Sequence, residues 1–190
     1  MTKGKLLIFS APSGAGKTTI VREVLKEKIF QLEFSVSACS REKRVGEING
    51  KDYYFLSIQD FKQKIENQDF IEWQEVYRDH FYGSLKTDVE KIRNSGNNVI
   101  FDVDVKGGLN IKQQFENDAL CIFIMPPSIV ELERRLVSRS TDSPEIIKKR
   151  MAKAEYELTF ADKFDFVILN DNLEIAIQET KNIINKFLKI

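Results

Sequence analysis

The chain has 190 residues, with 29 Lys+Arg against 29 Asp+Glu and a formal net charge of zero. That is the size of one domain with room for an inserted sub-domain, large enough to bury about 70 % of its unfolded surface without staples. A zero balance argues against nonspecific nucleic-acid binding, which draws on a large positive field. One histidine, His80, and two distant cysteines, Cys39 and Cys121, argue against a Cys/His zinc site.

From the N-terminus, Lys3 and Lys5 precede a single short apolar run, Leu6 to Phe9. It is too short for a signal segment or a membrane span, so a cytoplasmic location and no membrane partner are expected. The run lies between Gly4 and Pro12/Gly14 and reads as a fully buried strand of a parallel sheet. Ile20, Val21, Val24 and Leu25 then form a helical stripe over about 18–28. Buried runs recur at Val99–Phe101, Leu120–Met125 and Phe166–Leu169. Helical patterns lie between them, at about 85–95, 107–116, 128–139 and 144–160, with a last one at about 172–188. Strands alternating with helices predict a three-layer α/β fold around a parallel sheet.

Residues 35–82 break that rhythm. "FSVSACS" and "DYYFLS" alternate like antiparallel strands, Phe61 and Ile65 mark a short helix, and "FIEWQEVYRDHFYGS" reads as two strands turning near Arg78-Asp79. An α+β piece is therefore inserted after the first helix. "SRSTDSPE" at 138–145 reads as a flap between two arginine-bearing helices.

"SAPSGAGKTT" has the form of a phosphate loop, with Ala11 where the first glycine usually stands. Gly14 and Gly16 supply permissive backbone, Lys17 a positive charge and Thr18 a hydroxyl ligand for Mg²⁺. An apolar strand precedes and a helix follows, so the local context is the one a phosphate loop requires. Alanine is tolerated at position 11 if its φ is negative and its methyl points away from phosphate.

The inserted piece is rich in polar chemistry. Arg41 and Arg44, three apart, suit a phosphate through the forked guanidinium, and Tyr53 and Tyr82 offer phenolic donors. Glu72 stands between Ile71 and Trp73, and a carboxylate beside apolar surface calls for a dedicated donor. Guanine's N1–H and N2 amino group match a carboxylate, and its O6 suits a hydroxyl from Ser37 or Ser84. Residue by residue, a solvated hairpin with surface arginines explains the same letters.

Taken together, "SAPSGAGKTT", "FSVSACSREKRVGEINGKDYYF", "FIEW", "HFYGS", "FDVDVKGG", "PPSIVELERRLVSRSTDS" and "VILNDN" resemble the guanylate kinases over essentially the whole length. The resemblance implies a P-loop kinase fold and transfer from MgATP to GMP, with dGMP a further acceptor. It implies ATP binding by Ala11, Pro12, Ser13, Gly14, Ala15, Gly16, Lys17, Thr18 and Thr19, with Asn170 beside the adenine. It implies guanine recognition by Ser37, Glu72 and Ser84, with Asp102 near the guanine amino group. Arg41, Arg44, Glu47, Tyr53 and Tyr82 would hold GMP, Thr18 and Asp104 would serve the metal, and Arg135, Arg139 and Arg150 would close on the phosphates. In these terms one domain is expected: a core of 1–34, 86–137 and 151–190, a GMP-binding region of 35–85 and a lid of 138–150. The chain would be a monomer or homodimer.

Two positions depart from the family pattern: Lys106 where many relatives carry glutamine, and Cys39-Ser40 where threonines are common. Two other readings share part of the pattern. A kinase for another nucleoside monophosphate shares the loop, but Glu72 with Ser37 and Ser84 speaks against it. A binding module without catalysis shares the fold, but Lys17, Thr18, Arg135 and Arg139 speak against that.

Overall fold

The structure is a computed structural model, described for residues 3–138 and 144–190. In chain order it runs β1 (Leu6–Ser10), α1 (Lys17–Leu25), β2 (Leu32–Phe34), β3 (Ser37–Cys39), β4 (Tyr54–Phe55), α2 (Ile58–Glu66), β5 (Phe70–Tyr77) and β6 (His80–Leu85). It continues with α3 (Lys86–Asn94), β7 (Asn98–Asp102), α4 (Val105–Phe115), β8 (Ala119–Met125), α5 (Ile129–Ser138), α6 (Pro144–Leu158), β9 (Phe166–Leu169) and α7 (Leu173–Leu188). A five-stranded sheet has the order β2-β7-β1-β8-β9, and a four-stranded sheet the order β4-β3-β6-β5. Two compact units result: residues up to Lys5 with Glu33–Val99, and Leu6–Leu32 with Ile100–Ile190.

In the second unit, β1 is buried along its whole length and pairs in parallel with β8, which pairs in parallel with β9. Both faces of β1 are covered, which is why its sequence is continuously apolar rather than alternating. Leu7 and Phe9 share a core with Ile20 and Val24 of α1 and with Ile183 and Ile184 of α7. On the opposite face, Gly108 of α4 comes so close to Ile8 and Ser10 that a Cβ there would press on both. Helix, sheet and helix therefore make three layers, the mixed α/β fold with a parallel central sheet that the sequence predicts. β7 and β8 flank β1 on opposite sides, so the loop after β1 opens where strand order reverses, the usual ligand position of such sheets.

In the first unit, Ala38, Phe61, Phe70 and Phe81 form a separate small core. Phe61 of α2 stacks on Phe70 and Phe81 with centroids 4.4 and 5.5 Å away. Ser57 starts α2 by accepting the Asp60 N–H at 3.0 Å, an ordinary N-cap.

Element ends differ from expectation where local chemistry intervenes. The first helix stops at Leu25 and a short 3₁₀ turn, Lys28–Phe30, follows. The helix expected from 107 starts at Val105, because Asp104 caps it by accepting the Gly107 N–H at 2.8 Å. In β5, Phe70, Ile71 and Glu72 are all buried instead of alternating. A register shift between Phe70 and Glu72 is the cause, an extra residue turning the strand. Among the described residues, no helix is long and apolar enough to cross a membrane.

Candidate functional site

The second unit builds the phosphate loop. β1 ends at Ser10, the chain turns through residues 11–16, and α1 starts at Lys17. Gly14 and Gly16 have φ of 98° and 96°, in the left-handed region that favours glycine. Gly16 is also the N-cap of α1, so the first N–H groups of the helix open at the loop. Ala11 is not among the residues with positive φ, and it packs with Ala15 in the hydrophobic core. Pro12 is buried, while Ser13, Thr18 and Thr19 are exposed.

Lys17 forms an ion pair with Asp102 at the end of β7, and the Thr18 hydroxyl donates to the other Asp102 oxygen at 3.1 Å. Strand order brings this about, since β7 lies beside β1. Asp104 is engaged differently: its Oδ1 caps α4, and its carbonyl accepts from the Ser10 hydroxyl at 3.0 Å. Thr18 and these carboxylates form a hard-oxygen set. Among the described residues no group of three or more His, Cys, Asp or Glu side chains could hold a metal alone. One hydroxyl with one or two carboxylates, the phosphates supplying the rest, is what Mg²⁺ takes in nucleotide sites, so the residues fit that ion.

Asn170 follows β9 and is 4 % exposed. Its Nδ2 donates to the Ala15 carbonyl at 2.7 Å, and its own carbonyl accepts from Arg135 at 3.3 Å. Arg135 Nε donates to Glu131 at 2.8 Å, and Arg134 also grips Glu131, pulling that carboxyl down to about 2. Arg150 is half-buried on α6. Arg139 and residues 140–143 of the expected lid lie outside the described residues. Lys106 sits 5.5 Å from the centre of the Tyr156 ring.

Of the residues expected at the acceptor, the first unit holds Ser37, Glu72, Ser84 and Tyr82 on its sheet and Arg41, Arg44, Glu47 and Tyr53 in the segment between β3 and β4. Asp102 instead belongs to the second unit, on Lys17 and Thr18. Ser37 of β3 is opposite Ser84 of β6, which is opposite Glu72 of β5. Directly opposed residues face the same way, so the three form one row across three strands. Glu72 and Ser84 are buried, and the Ser84 hydroxyl donates to Glu72 Oε1 at 2.8 Å. One row along, Cys39 is opposite Tyr82. Arg41 makes two hydrogen bonds to Glu47, 2.7 and 2.5 Å long, and its guanidinium lies 5.0 Å from the Tyr53 ring centre. Glu47 also accepts the Arg44 N–H at 2.9 Å. Arg41 chiefly, with that N–H, pulls the Glu47 carboxyl down to about 2. The bond to Glu47 in turn raises Arg41, with Tyr82 adding a hydrogen bond. Arg44 is exposed. Ser40, the second departure from the family pattern, ties the hairpin: its hydroxyl donates to the Asp79 carbonyl and accepts the Phe81 N–H, both at 2.8 Å.

Sequence reasoning did not find Glu131 or Glu157. Glu131 was legible, since it stands three and four residues before Arg134 and Arg135 on one helix. Glu157 likewise has Lys153 four residues before it on α6, 3.7 Å away, but its burial, which raises its carboxyl, carries no local signal.

A guanylate kinase family model matches residues 3–187. Guanylate kinase of Bacteroides fragilis is 54 % identical over 188 residues, 99 % of this chain and 92 % of that protein. Guanylate kinase of Porphyromonas gingivalis is 48 % identical, over 97 % of this chain and 98 % of that one. The crystal structure of guanylate kinase from Anaplasma phagocytophilum superposes with a TM-score of 0.78 at 30 % identity, covering 97 % of this chain and 86 % of the other. With a phosphate loop in one unit, a Glu72–Ser84 pair in the other and relatives of this name matched nearly end to end, the chain belongs to the guanylate kinase family.

Proposed function

We propose that this chain transfers the γ-phosphoryl group of ATP to GMP, giving ADP and GDP, and that it takes dGMP as an alternative acceptor. Family membership supports the reaction. The observation that carries the choice of base is the buried Glu72–Ser84 pair, in line with Ser37. A carboxylate matches the N1–H and N2 amino donors of guanine, and a hydroxyl suits its O6. Adenine has a lone pair at N1, which a carboxylate repels.

The acceptor needs no activation. A phosphate oxygen of GMP attacks Pγ of ATP, the bond from Pγ to the β,γ-bridging oxygen breaks, and ADP leaves with that electron pair. The work left to the protein is positioning and charge. Lys17 and the loop N–H groups bind the donor phosphates. Arg41 and Arg44, with Tyr53 and Tyr82, bind the acceptor phosphate, and Glu47 orients Arg41. Arg135 and Arg150 offset charge on the transferring group. Thr18, Asp102 and Asp104 would hold Mg²⁺, which when bound supplies positive charge to the β- and γ-phosphates.

An ADP-release assay with GMP, dGMP, AMP, CMP and UMP side by side tests the reading. Turnover with GMP and dGMP is expected, with kcat/KM for the other three lower by about 100-fold or more. Equal turnover with AMP would reject it.

A further inference from the structure

Asn170 is expected beside the adenine of ATP, yet its side chain makes a buried contact that involves no base. The Ala15 carbonyl can only accept a hydrogen bond, so the Asn170 amide has one orientation there, Nδ2 toward Ala15 at 2.7 Å. A trans peptide points its C=O and its N–H in opposite directions. Holding the Ala15 carbonyl toward Asn170 therefore turns the next N–H, that of Gly16, away from Asn170, to the side where a phosphate loop aims its donors. Gly16 has room for no side chain against the Asn170 amide, and its φ of 96° is one that glycine adopts freely. The backbone of Asn170 is anchored as well. Its N–H donates to the Met125 carbonyl at 2.8 Å, at the end of β8, and its carbonyl accepts from Arg135.

We infer that Asn170 is a positioning residue for the donor polyphosphate: it fixes the Ala15–Gly16 peptide with the Gly16 N–H facing the phosphates, and it ties Arg135 to the same point. Its effect is on the triphosphate whatever base is attached. The inference rests on the proposed phosphotransfer, but its test does not.

Asn170→Asp keeps the size and removes the donor, and Asn170→Ala removes the side chain; having both guards against one failing to fold. Affinities for ATP and for inorganic tripolyphosphate are measured by calorimetry on wild type and variants, with GMP as control. Both donor-side affinities are expected to fall by a common factor of about ten. GMP affinity should be unchanged, and in turnover KM for ATP should rise without KM for GMP. Loss confined to ATP would make Asn170 an adenine contact and overturn the inference. So would an equal loss for GMP, or a wild-type chain that binds no tripolyphosphate. Absence of ATP-to-GMP transfer in the same wild-type preparation would reject the enzymatic reading alone.

Discussion

Lys17 stands at the head of α1 with its ammonium on Asp102 and the Thr18 hydroxyl on the same carboxylate. Without Lys17 the donor phosphates lose their point charge, while Asp102 keeps the Thr18 hydrogen bond. Lys17→Ala should lower kcat by roughly 10²–10³-fold, as loss of one transition-state donor does. Its circular dichroism and melting temperature should stay close to wild type. Near-normal turnover would remove the phosphate-loop assignment. Arg44 is the corresponding test on the acceptor side, because its guanidinium is exposed and its N–H alone serves Glu47. Arg44→Ala should raise KM for GMP about tenfold or more, the scale of one charge-assisted hydrogen bond. A change in KM for ATP only would contradict that. Cys39 is fully buried, and burial raises its thiol above the ordinary value. A buried protonated thiol reacts slowly. Mild thiol modification should therefore leave activity intact, which a labelling and assay time course checks.

The elements differ in how far they can be read from letters alone. β1, the loop and α1 are legible because their chemistry is local: an apolar run, two glycines at positive φ and a helical stripe lie within twenty residues. The capped start of α4 is nearly so, since Asp104 precedes Val105 directly. The pairing of Lys17 with Asp102 is not local: it follows from β7 lying beside β1, a matter of strand order. The three buried residues at the start of β5 follow from a bulge that alternation does not encode. Ser37, Ser84 and Glu72 were identifiable as residue types, but their alignment into one row is a matter of register across three strands. Asn170 was expected at a base, and its hydrogen bond to Ala15, 155 residues away, has no sequence signal. The loop also gives an element-scale test. Gly16→Ala puts a methyl at φ of 96° and into the Asn170 amide. A loss of about 1 kcal/mol or more of stability is expected from the backbone alone. Chemical denaturation measures it, and a neutral result would mean the loop is not held in this conformation.

For the whole molecule, titrating groups set the pH range of stability from two sides. Cys121 lies fully buried on β8 beneath α4, its thiol donating to the Gly108 carbonyl, and burial pushes it up to about 12 from an ordinary 9.0. The unfolded chain therefore releases this proton first. The contribution is complete below pH 9.0 and is lost as pH rises towards 12. At the acid end Glu47 and Glu131 are both held near 2 by arginines, against an ordinary 4.5. Their contribution is present above pH 4.5 and is lost as pH falls towards 2. Glu157, whose carboxyl burial raises, works in the opposite sense to Glu47 and Glu131, its contribution being lost as pH climbs above 4.5. Melting temperature should therefore fall towards pH 2 and again above pH 9.0, with a shallower alkaline fall in Cys121→Ala. An alkaline limb identical in that variant would show that Cys121 does not govern it.

The base choice rests on Glu72, a buried carboxylate already holding a hydroxyl and therefore set to read donors. The most direct measurement is the ratio of kcat/KM for GMP to that for AMP, in wild type and in Glu72→Gln. An amide satisfies only part of the guanine edge and no longer repels the adenine N1, so the ratio should fall by about tenfold or more in the variant. A ratio unchanged by the substitution would contradict guanine recognition by Glu72.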